Sequence, residues 1–203
     1  MKREIILIGG GGHCRSCIDV IETTGNYRIA GILDRPQRKD ETVLGYPIVG
    51  NDDDLSRFAR YSYFFLVTIG QIKSPERRRS LFAKLDLLKV GIATIVSPIA
   101  YQSCHARIGR GTIIMHQAIV NAGAEIGNNC IINTRTLIEH DAQIGDHCHI
   151  STGAIVNGGV RIGEGVFVGS GAVIREMVHI EEGAFIGANR TVARDIPKDK
   201  IVK

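Results

Sequence analysis

Residues 126–156 read IGNNCIINTRTLIEHDAQIGDHCHISTGAIV, and an aliphatic side chain recurs there at every sixth position. The same spacing continues without a break from Ile108 to Val192. A step of six residues turns an α-helix through about 600°, so these side chains would spread over three directions. In a strand the side chains alternate with a period of two, and a step of six always returns to the same face. The segment is therefore predicted to consist of short strands that bend every six residues.

Two further columns of the repeat support this interpretation. The residue four positions after each aliphatic one lies on the same face and is mostly small, as at Ala142 and Cys148. The residue two positions after it is polar or small, as at Asn128 and Asp146, which is typical of exposed corners. We predict a solenoid of the β-helix type, in which Cys130 and Cys148 are interior packing residues.

The first part of the chain follows a different pattern. Short apolar runs predict strands at residues 4–9, 28–34, 63–68 and 93–96, and helices are predicted at 14–23, 52–61 and 75–89. This alternation predicts a small parallel α/β sheet. Because Ser97 and Pro98 form a natural junction, the predicted domains are residues 1–97 and 98–203.

The composition excludes several classes of protein. With 44% hydrophobic and 23% charged residues, the chain resembles neither a disordered nor a membrane-spanning protein. The apolar run at residues 5–8 is too short for a signal peptide, so we expect a cytoplasmic protein with free thiols. The net charge of +4 forms no basic stripe, which argues against nucleic-acid binding. The triplet Arg77, Arg78 and Arg79 is interpreted as a solvated helix face.

A glycine-rich loop, residues 9–12, follows the first predicted strand and precedes the first helix. Glycines at this place let a phosphate approach backbone N–H groups at the positive end of a helix. Cys14 stands where the dinucleotide fingerprint has its third glycine, so a tight strand-to-helix turn is the alternative. Asp34 ends the second strand, where it could bind a ribose hydroxyl or cap the strand.

Cysteine and histidine patterns suggest two other chemistries. Cys14 and Cys17 form a C-x-x-C pair, but neither a second pair nor an intervening Gly-Pro accompanies it, which disfavours a zinc or redox site. Zinc bound by three histidines is a further alternative on a hexapeptide helix. The candidate histidines show no spacing typical of three zinc ligands, so no metal is predicted. These histidines are His105, His116, His140, His147 and His149.

The richest polar cluster is Glu139-His140-Asp141. An imidazole can take a proton from an attacking amine or hydroxyl, and a neighbouring carboxylate can orient it. A merely exposed polar corner would have the same composition, so the pattern leaves both interpretations open. His147 is displaced from the corner column and is expected on a solvated face.

The sequence also resembles a known family. The resemblance rests on the loop ending in His13, on residues 68–71 (TIGQ), and on the run from residue 132 through Glu139-His140-Asp141 to Ser151. The chain is similar to the bacterial sialic acid O-acetyltransferase and nucleotide-amino-sugar N-acetyltransferase family, which includes UDP-bacillosamine and GDP-perosamine acetyltransferases. This implies a Rossmann-like domain followed by a left-handed parallel β-helix, in a homotrimer with active sites between subunits.

The resemblance also implies roles for individual residues. His140 is expected to be the general base and Asp141 its support, although a Glu is common at the latter position. His149, Gly158, Ser170, Gly187 and Ala188 are expected to bind acetyl-CoA, and His149 or a backbone N–H to stabilise the oxyanion. Six residues are expected to bind the nucleotide sugar: Gly11, Gly12, His13, Asp34, Gly70 and Gln71.

The implied activity is acetyl-CoA-dependent N-acetylation of a nucleotide-linked amino sugar, of the UDP-4-amino-4,6-dideoxy type, in surface glycan biosynthesis. The base could equally activate a hydroxyl. O-acetylation of sialic acid or a related nonulosonate is therefore the first alternative, and a non-catalytic β-helix binding protein is the second.

The repeat also predicts which residues lie above one another. A spacing of 18 residues per three-sided coil would stack His140 over Gly158, and would align Thr152, Ser170 and Ala188 on one corner.

Overall fold

A computed structural model describes residues 2–38 and 41–203. The N-terminal domain is a sheet of six strands in the order β3-β4-β2-β1-β5-β6. All neighbours are parallel except β3 and β4. The strands are β1 (Arg3–Ile8), β2 (Tyr27–Leu33), β3 (Thr42–Val43), β4 (Tyr46–Gly50), β5 (Phe64–Val67) and β6 (Gly91–Ile92). The helices are α1 (Gly12–Thr24), α2 (Leu55–Phe58) and α3 (Glu76–Leu87), with 3₁₀ turns at Pro36–Arg38 and Asp52–Asp54.

Three details of this domain differ from the predictions. The hairpin of β3 and β4 was not predicted; its turn is Leu44-Gly45, both with positive φ. The predicted helix at 52–61 is helical only over Asp52–Asp54 and Leu55–Phe58. The predicted strand at 93–96 is a strand only over Ile95–Val96, which belongs to another sheet, because β6 of the N-terminal sheet already ends at Ile92.

The rest of the chain is a parallel β-helix with three faces. The first face consists of β7 (Ile95–Val96), β10 (Ile113–Ile114), β13 (Ile131–Ile132), β16 (His149–Ile150), β19 (Phe167–Val168), β22 (Phe185–Ile186) and β24 (Ile201–Val202). The second consists of β8 (Tyr101–Gln102), β11 (Ile119–Val120), β14 (Leu137–Ile138), β17 (Ile155–Val156), β20 (Val173–Ile174) and β23 (Thr191–Val192). The third consists of β9 (Arg107–Ile108), β12 (Glu125–Ile126), β15 (Gln143–Ile144), β18 (Arg161–Ile162) and β21 (His179–Ile180).

The coils stack with the predicted register of 18 residues. Ile131 pairs with Ile113 on one side and with His149 on the other. The predicted aliphatic column and the small column fill the interior, where Cys130 and Cys148 are fully buried, as expected for packing residues. We call the turn between the first and second faces (133–136 and its equivalents) the first corner. The turns equivalent to 139–142 and to 145–148 are the second and third corners.

The N-terminal domain packs on the outer side of the first face. Helix α1 lies between the sheet and the β-helix, so Ile18, Ile113 and Ile131 belong to one buried cluster. The β-helix starts with β7, and the predicted boundary between residues 97 and 98 falls in the turn after it. The longest helix of the described chain has 13 residues, and no helix there has the length and apolar character needed to cross a membrane.

The outward residues of the three faces differ in character. On the first face they are apolar or aromatic and mostly buried under the N-terminal domain. On the third face they are polar: Arg107, Glu125, Gln143, Arg161 and His179. On the second face they are Tyr101, Ile119, Leu137, Ile155, Val173 and Thr191. The second face thus presents an apolar column at least partly exposed to solvent.

Candidate active site

A cleft of about 920 Å³ lies between the N-terminal domain and the first corner. The glycine-rich loop forms one wall of this cleft. Gly11 is the N-cap of α1 and has no side chain that could cap the helix, so backbone N–H groups at the helix N-terminus are left without a capping side chain. A Cβ at Gly11 or Gly12 would meet nothing within 4 Å, so the loop is open to a ligand. All six residues predicted to bind the nucleotide sugar line this cleft: Gly11, Gly12, His13, Asp34, Gly70 and Gln71.

Asp34 directly follows β2 and lines the cleft. Its Oδ2 accepts a hydrogen bond of 2.6 Å from Nη1 of Arg38, which also donates to the Gly10 carbonyl at 2.9 Å. Three arginines that line the cleft add positive charge there: Arg35, Arg38 and Arg77. Sequence reasoning missed these arginines, although Arg35 and Arg38 directly follow the strand end.

His149 is buried where the two domains meet. Its Nδ1 lies 2.6 Å from the carbonyl of Gln71, and because a carbonyl only accepts, Nδ1 carries the proton. Its Nε2 lies 3.2 Å from Nδ2 of Asn133 and accepts from that amide. Burial, the largest cause, and the positive charge of Arg78 lower the pKa of His149 to about 4, so the ring is neutral near pH 7.

His13 faces the same cleft. Burial first, then the charge of Arg78, lowers the pKa of His13 to about 3. Its Nε2 and the Oε1 of Gln71 are buried and find no hydrogen-bond partner among residues 2–38 and 41–203. Buried polar atoms without partners are costly, so both suit a ligand that supplies hydrogen bonds.

The His140–Asp141 pair lies at the second corner and is exposed. Nδ1 of His140 and Oδ2 of Asp141 are 2.9 Å apart, so the shorter acidic side chain does reach the ring. Asp141 has a left-handed backbone, with φ of 58°. The hydrogen bond to Asp141 is the main cause that raises the pKa of His140. Nδ1–H donates to the carboxylate, which leaves Nε2 of the neutral ring as a proton acceptor.

Gly158 lies next to His140 on the following coil, as predicted. The N–H of Gly159 donates to the His140 carbonyl at 3.0 Å. A Cβ at Gly158 would lie 2.7 Å from Nε2 of His140, so a side chain here would block the ring. The backbone N–H of Gly158 has no acceptor in the described part of the chain. A free donor therefore lies beside the imidazole.

The remaining predicted acetyl-CoA positions lie on the first corner. The N–H of Gly171 donates to Thr152, and that of Asn189 donates to Ser170, which confirms the predicted stacking. Thr152, Ser170 and Ala188 are small and exposed, so they leave the corner free for an extended ligand. Gly187 precedes this column, whereas Gly158 lies on the second corner.

The His140 site and the nucleotide cleft do not meet within one chain. His140 lines a second cleft of about 860 Å³ with Asn157, Gly158 and Met177. The strands of the second face, such as β14, separate this corner from the cleft that His149 lines. The spacing placed His140 and Thr152 on different corners, but it did not show which face of the β-helix the N-terminal domain covers.

Two expectations about charged residues were wrong. His147 is not on a solvated face: its ring packs edge-on against Phe82 and its Nδ1 lies 2.8 Å from Nδ2 of Asn129. Arg78 is only 1% exposed, whereas Arg77 and Arg79 are partly exposed. In both cases the cause is α3, which covers the third corner.

The metal and redox alternatives receive no support from the geometry. Within the two described ranges, no group of three or more His, Cys, Asp or Glu side chains could hold a metal ion. Cys14 and Cys17 are both fully buried, and burial raises the pKa of the Cys14 thiol to about 11. A buried, protonated thiol is a poor nucleophile.

Comparisons with known proteins agree with this geometry. Residues 4–85 match the PglD N-terminal domain, and residues 105–140 and 141–176 match the bacterial transferase hexapeptide repeat. PerB from Caulobacter crescentus, solved with CoA and GDP-perosamine, is 31% identical, with a TM-score of 0.90, over 98% of this chain and 92% of that chain. The chain belongs to the hexapeptide-repeat acetyltransferases with a PglD N-terminal domain.

Two further solved structures are similar to this chain. The acetyltransferase domain of PglB from Neisseria gonorrhoeae, in complex with acetyl coenzyme A, is 29% identical, with a TM-score of 0.92, over 100% of this chain and 96% of that chain. WeeI from Acinetobacter baumannii shares the fold at 17% identity and a TM-score of 0.70, over 95% of each chain. A comparison with curated proteins found no match. The predicted family, the left-handed β-helix and the acetyltransferase activity are thereby confirmed.

Proposed function

We propose that this acetyltransferase moves the acetyl group of acetyl-CoA to the amino group of a nucleotide-linked amino sugar. The observation that carries the proposal is the pairing, in one chain, of a glycine-lined cleft at a helix N-terminus with a histidine base on a hexapeptide β-helix. A solved mutant of the GDP-perosamine N-acetyltransferase from Caulobacter crescentus, 30% identical, holds CoA and GDP-perosamine. Both ligand classes suit the two sites described above.

The nucleotide cleft has the charges that a sugar nucleotide needs. The N-terminus of α1, with Gly11 and Gly12, can bind the diphosphate through backbone N–H groups. Arg35 and Arg77 add positive charge, and Asp34 can accept from hydroxyl or base N–H groups. His13, neutral and without a partner for Nε2, is available for the sugar.

The proposed mechanism is direct transfer without an acyl-enzyme. Nε2 of His140 takes a proton from the amine as its nitrogen attacks the thioester carbon, and Asp141 holds the resulting imidazolium. The C–N bond forms and the C–S bond breaks. The proton on His140 then passes to the CoA thiolate.

The structure favours the backbone N–H of Gly158 over His149 as the oxyanion donor. His149 has its one ring proton on Nδ1, which the Gln71 carbonyl accepts, and its Nε2 is an acceptor. The Gly158 N–H is free and adjacent to the base. One such donor contributes about 3 kcal/mol to transition-state stabilisation. We assign His149 to shaping the cleft.

A homotrimer would complete the site. If the apolar second faces of three chains pack around a threefold axis, the first corner of one subunit meets the second corner of the next. The nucleotide cleft of one chain would then face His140 of its neighbour. The exposed apolar side chains of Tyr101 and Ile119 support this packing.

An assay of acetyl transfer to a panel of UDP- and GDP-linked amino sugars tests the activity. The release of the CoA thiol is the signal that is measured. We expect N-acetylated product from at least one of them and none from sialic acid. Transfer to sialic acid alone would instead support O-acetylation.

Subunit complementation tests the shared site. The Gly12→Glu variant has room for its side chain but places a negative charge at the phosphate loop. Trimers made of Gly12→Glu chains alone, or of His140→Ala chains alone, should be inactive. Randomly mixed trimers of the two should recover about a quarter of wild-type activity, because one site in four combines two intact halves. No recovery from co-assembled trimers would contradict a site made by two chains.

A further inference from the structure

Arg78 is a buried cation that touches both domains. It lies on α3, and its side chain reaches the carboxyl end of β5. Nη1 donates to the carbonyls of Val67 and Ile69 at 3.2 and 2.6 Å. Nη2 donates to the carbonyl and the Oδ1 of Asn129 in the β-helix, at 2.7 and 2.9 Å. One guanidinium therefore joins a strand end of the N-terminal domain to a turn of the third corner.

The contacts of Arg78 require an arginine. No carboxylate of the described residues forms an ion pair with it, so carbonyl and amide dipoles alone compensate the charge. Burial lowers the pKa of Arg78 to about 10, which still leaves it protonated at neutral pH. The planar guanidinium can donate in two directions at once, whereas a lysine ammonium is a compact point charge.

The segment that Arg78 holds is one wall of the nucleotide cleft. Ile69, Gly70 and Gln71 all line it. The same segment is attached to the β-helix a second time, because Nδ1 of His149 donates a hydrogen bond to the Gln71 carbonyl. Gly70 lies between the two attachments. Thr68 also donates to the carbonyls of Ile8 and Gly9 in the N-terminal domain, so a loss of Arg78 would leave Gln71 as the attachment of this segment to the β-helix.

We propose that Arg78 is a positioning residue that fixes residues 67–71 against the β-helix and so sets the shape of the acceptor cleft and the tautomer of His149. The part concerning the acceptor rests on the function proposed above. Within the described residues, Arg78 donates no hydrogen bond to His140, to Gly158 or to the first-corner positions Ser170, Gly187 and Ala188, so we expect the coenzyme side of the reaction to be independent of it.

Kinetics provide the first test. Arg78→Lys should raise the KM of the acceptor about tenfold and leave the KM of acetyl-CoA within twofold. Arg110→Gln is the matched control, because Arg110 also joins the β-helix to α3, through Asp86 at 2.9 Å, but it is exposed and away from the cleft. It should change neither KM. Equal effects of the two variants, or an equal rise of both KM values, would overturn the proposal.

Asn129→Gly is a milder variant in case Arg78→Lys does not fold. Asn129 has a left-handed φ of 53°, which glycine adopts freely, and the substitution removes one acceptor of Nη2. It also removes the hydrogen bond to His147. The acceptor KM should rise about threefold. An unchanged acceptor KM in a folded Asn129→Gly protein would count against the proposal.

A substrate-free measurement separates this inference from the proposed function. In ¹⁵N NMR, the wild-type protein should show a protected ring N–H of His149 on Nδ1, assigned by its absence in His149→Gln. Arg78→Lys and Asn129→Gly should broaden or shift that signal, and Arg110→Gln should not. An unchanged His149 signal in both folded variants would refute the positioning role, whatever acceptor the enzyme uses. If no nucleotide amino sugar is acetylated by the wild type, the proposed function fails while the NMR result still decides the role of Arg78.

Discussion

His140 and His149 lie half a coil apart in the β-helix, yet they have opposite surroundings. His140 is exposed at the second corner beside Asp141, and that hydrogen bond raises its pKa. His149 is buried under the N-terminal domain, and burial lowers its pKa to about 4. The first histidine can exchange a proton near neutral pH. The second stays neutral and serves as a fixed hydrogen-bonding group, so identical side chains receive different tasks from their neighbours.

The largest expected effect comes from removing the exposed histidine. General-base catalysis is typically worth 10²–10⁴-fold, so kcat/KM of His140→Ala should fall by roughly that factor. The corner tolerates alanine, so the thermal midpoint should stay unchanged. Steady-state assays across pH measure the loss, and the affinity for acetyl-CoA should change little.

His105→Ala is the control for this substitution. His105 is exposed in the second-corner turn two coils away from His140. The turnover of the His105→Ala enzyme should remain within twofold of wild type. A His140→Ala enzyme with near wild-type turnover at all pH values would remove His140 from the mechanism. A defect that disappears at high pH would mean that the base is needed only below the pKa of the amine.

The buried histidines should make the protein sensitive to acid. His13 and His149 have folded pKa values of about 3 and 4, below their ordinary value of 6.5. Well above pH 6.5 neither state binds the proton; as the pH falls, the unfolded chain binds it first and stability is lost. Between about pH 8 and pH 5 each histidine should cost about 2 kcal/mol of unfolding free energy.

Urea unfolding at fixed protein concentration measures this pH dependence. His149→Gln should remove about half of the loss, because only His13 then remains to titrate. An equally steep pH dependence in His149→Gln would show that His149 does not stay neutral in the folded protein.

Asp141→Asn should have a smaller effect on catalysis. An amide can still accept from Nδ1 of His140 but does not stabilise the imidazolium, so kcat/KM should fall about tenfold. Since the Asp141 hydrogen bond raises the pKa of His140, its loss should move the acidic limb of the kcat/KM profile to lower pH. The pH profile checks this; a limb that does not move would mean that another group titrates.

The smallest effect is expected in the β-helix interior. Cys130 and Cys148 pack in the small column, and their thiols approach backbone carbonyls of their own and of the next coil, as Cys130 does at Asn128 and Gly145. Cys130→Ala and Cys148→Ala should leave turnover within twofold and lower the unfolding free energy by about 1 kcal/mol each. A large loss of turnover without a loss of stability would contradict a packing role.

The sequence by itself determined the β-helix, the order of its corners and the position of the glycine loop. Each coil contacts mainly the coil 18 residues away, so its requirements recur at a fixed period that a single sequence displays. The column that stacks His140 over Gly158 follows from the same arithmetic. The residue types of the glycine loop likewise reflect local backbone geometry, which depends on few neighbours.

Only the tertiary structure decided how the N-terminal domain packs on the first face. That contact joins residues far apart in the chain and follows no period, so Arg78 and His147 were expected in solvent although α3 buries them against the third corner. The same contact gives His149 its Gln71 partner and hence its neutral tautomer. Burial and hydrogen-bond partners, which set the protonation of a histidine, depend on surfaces that meet only in the folded molecule.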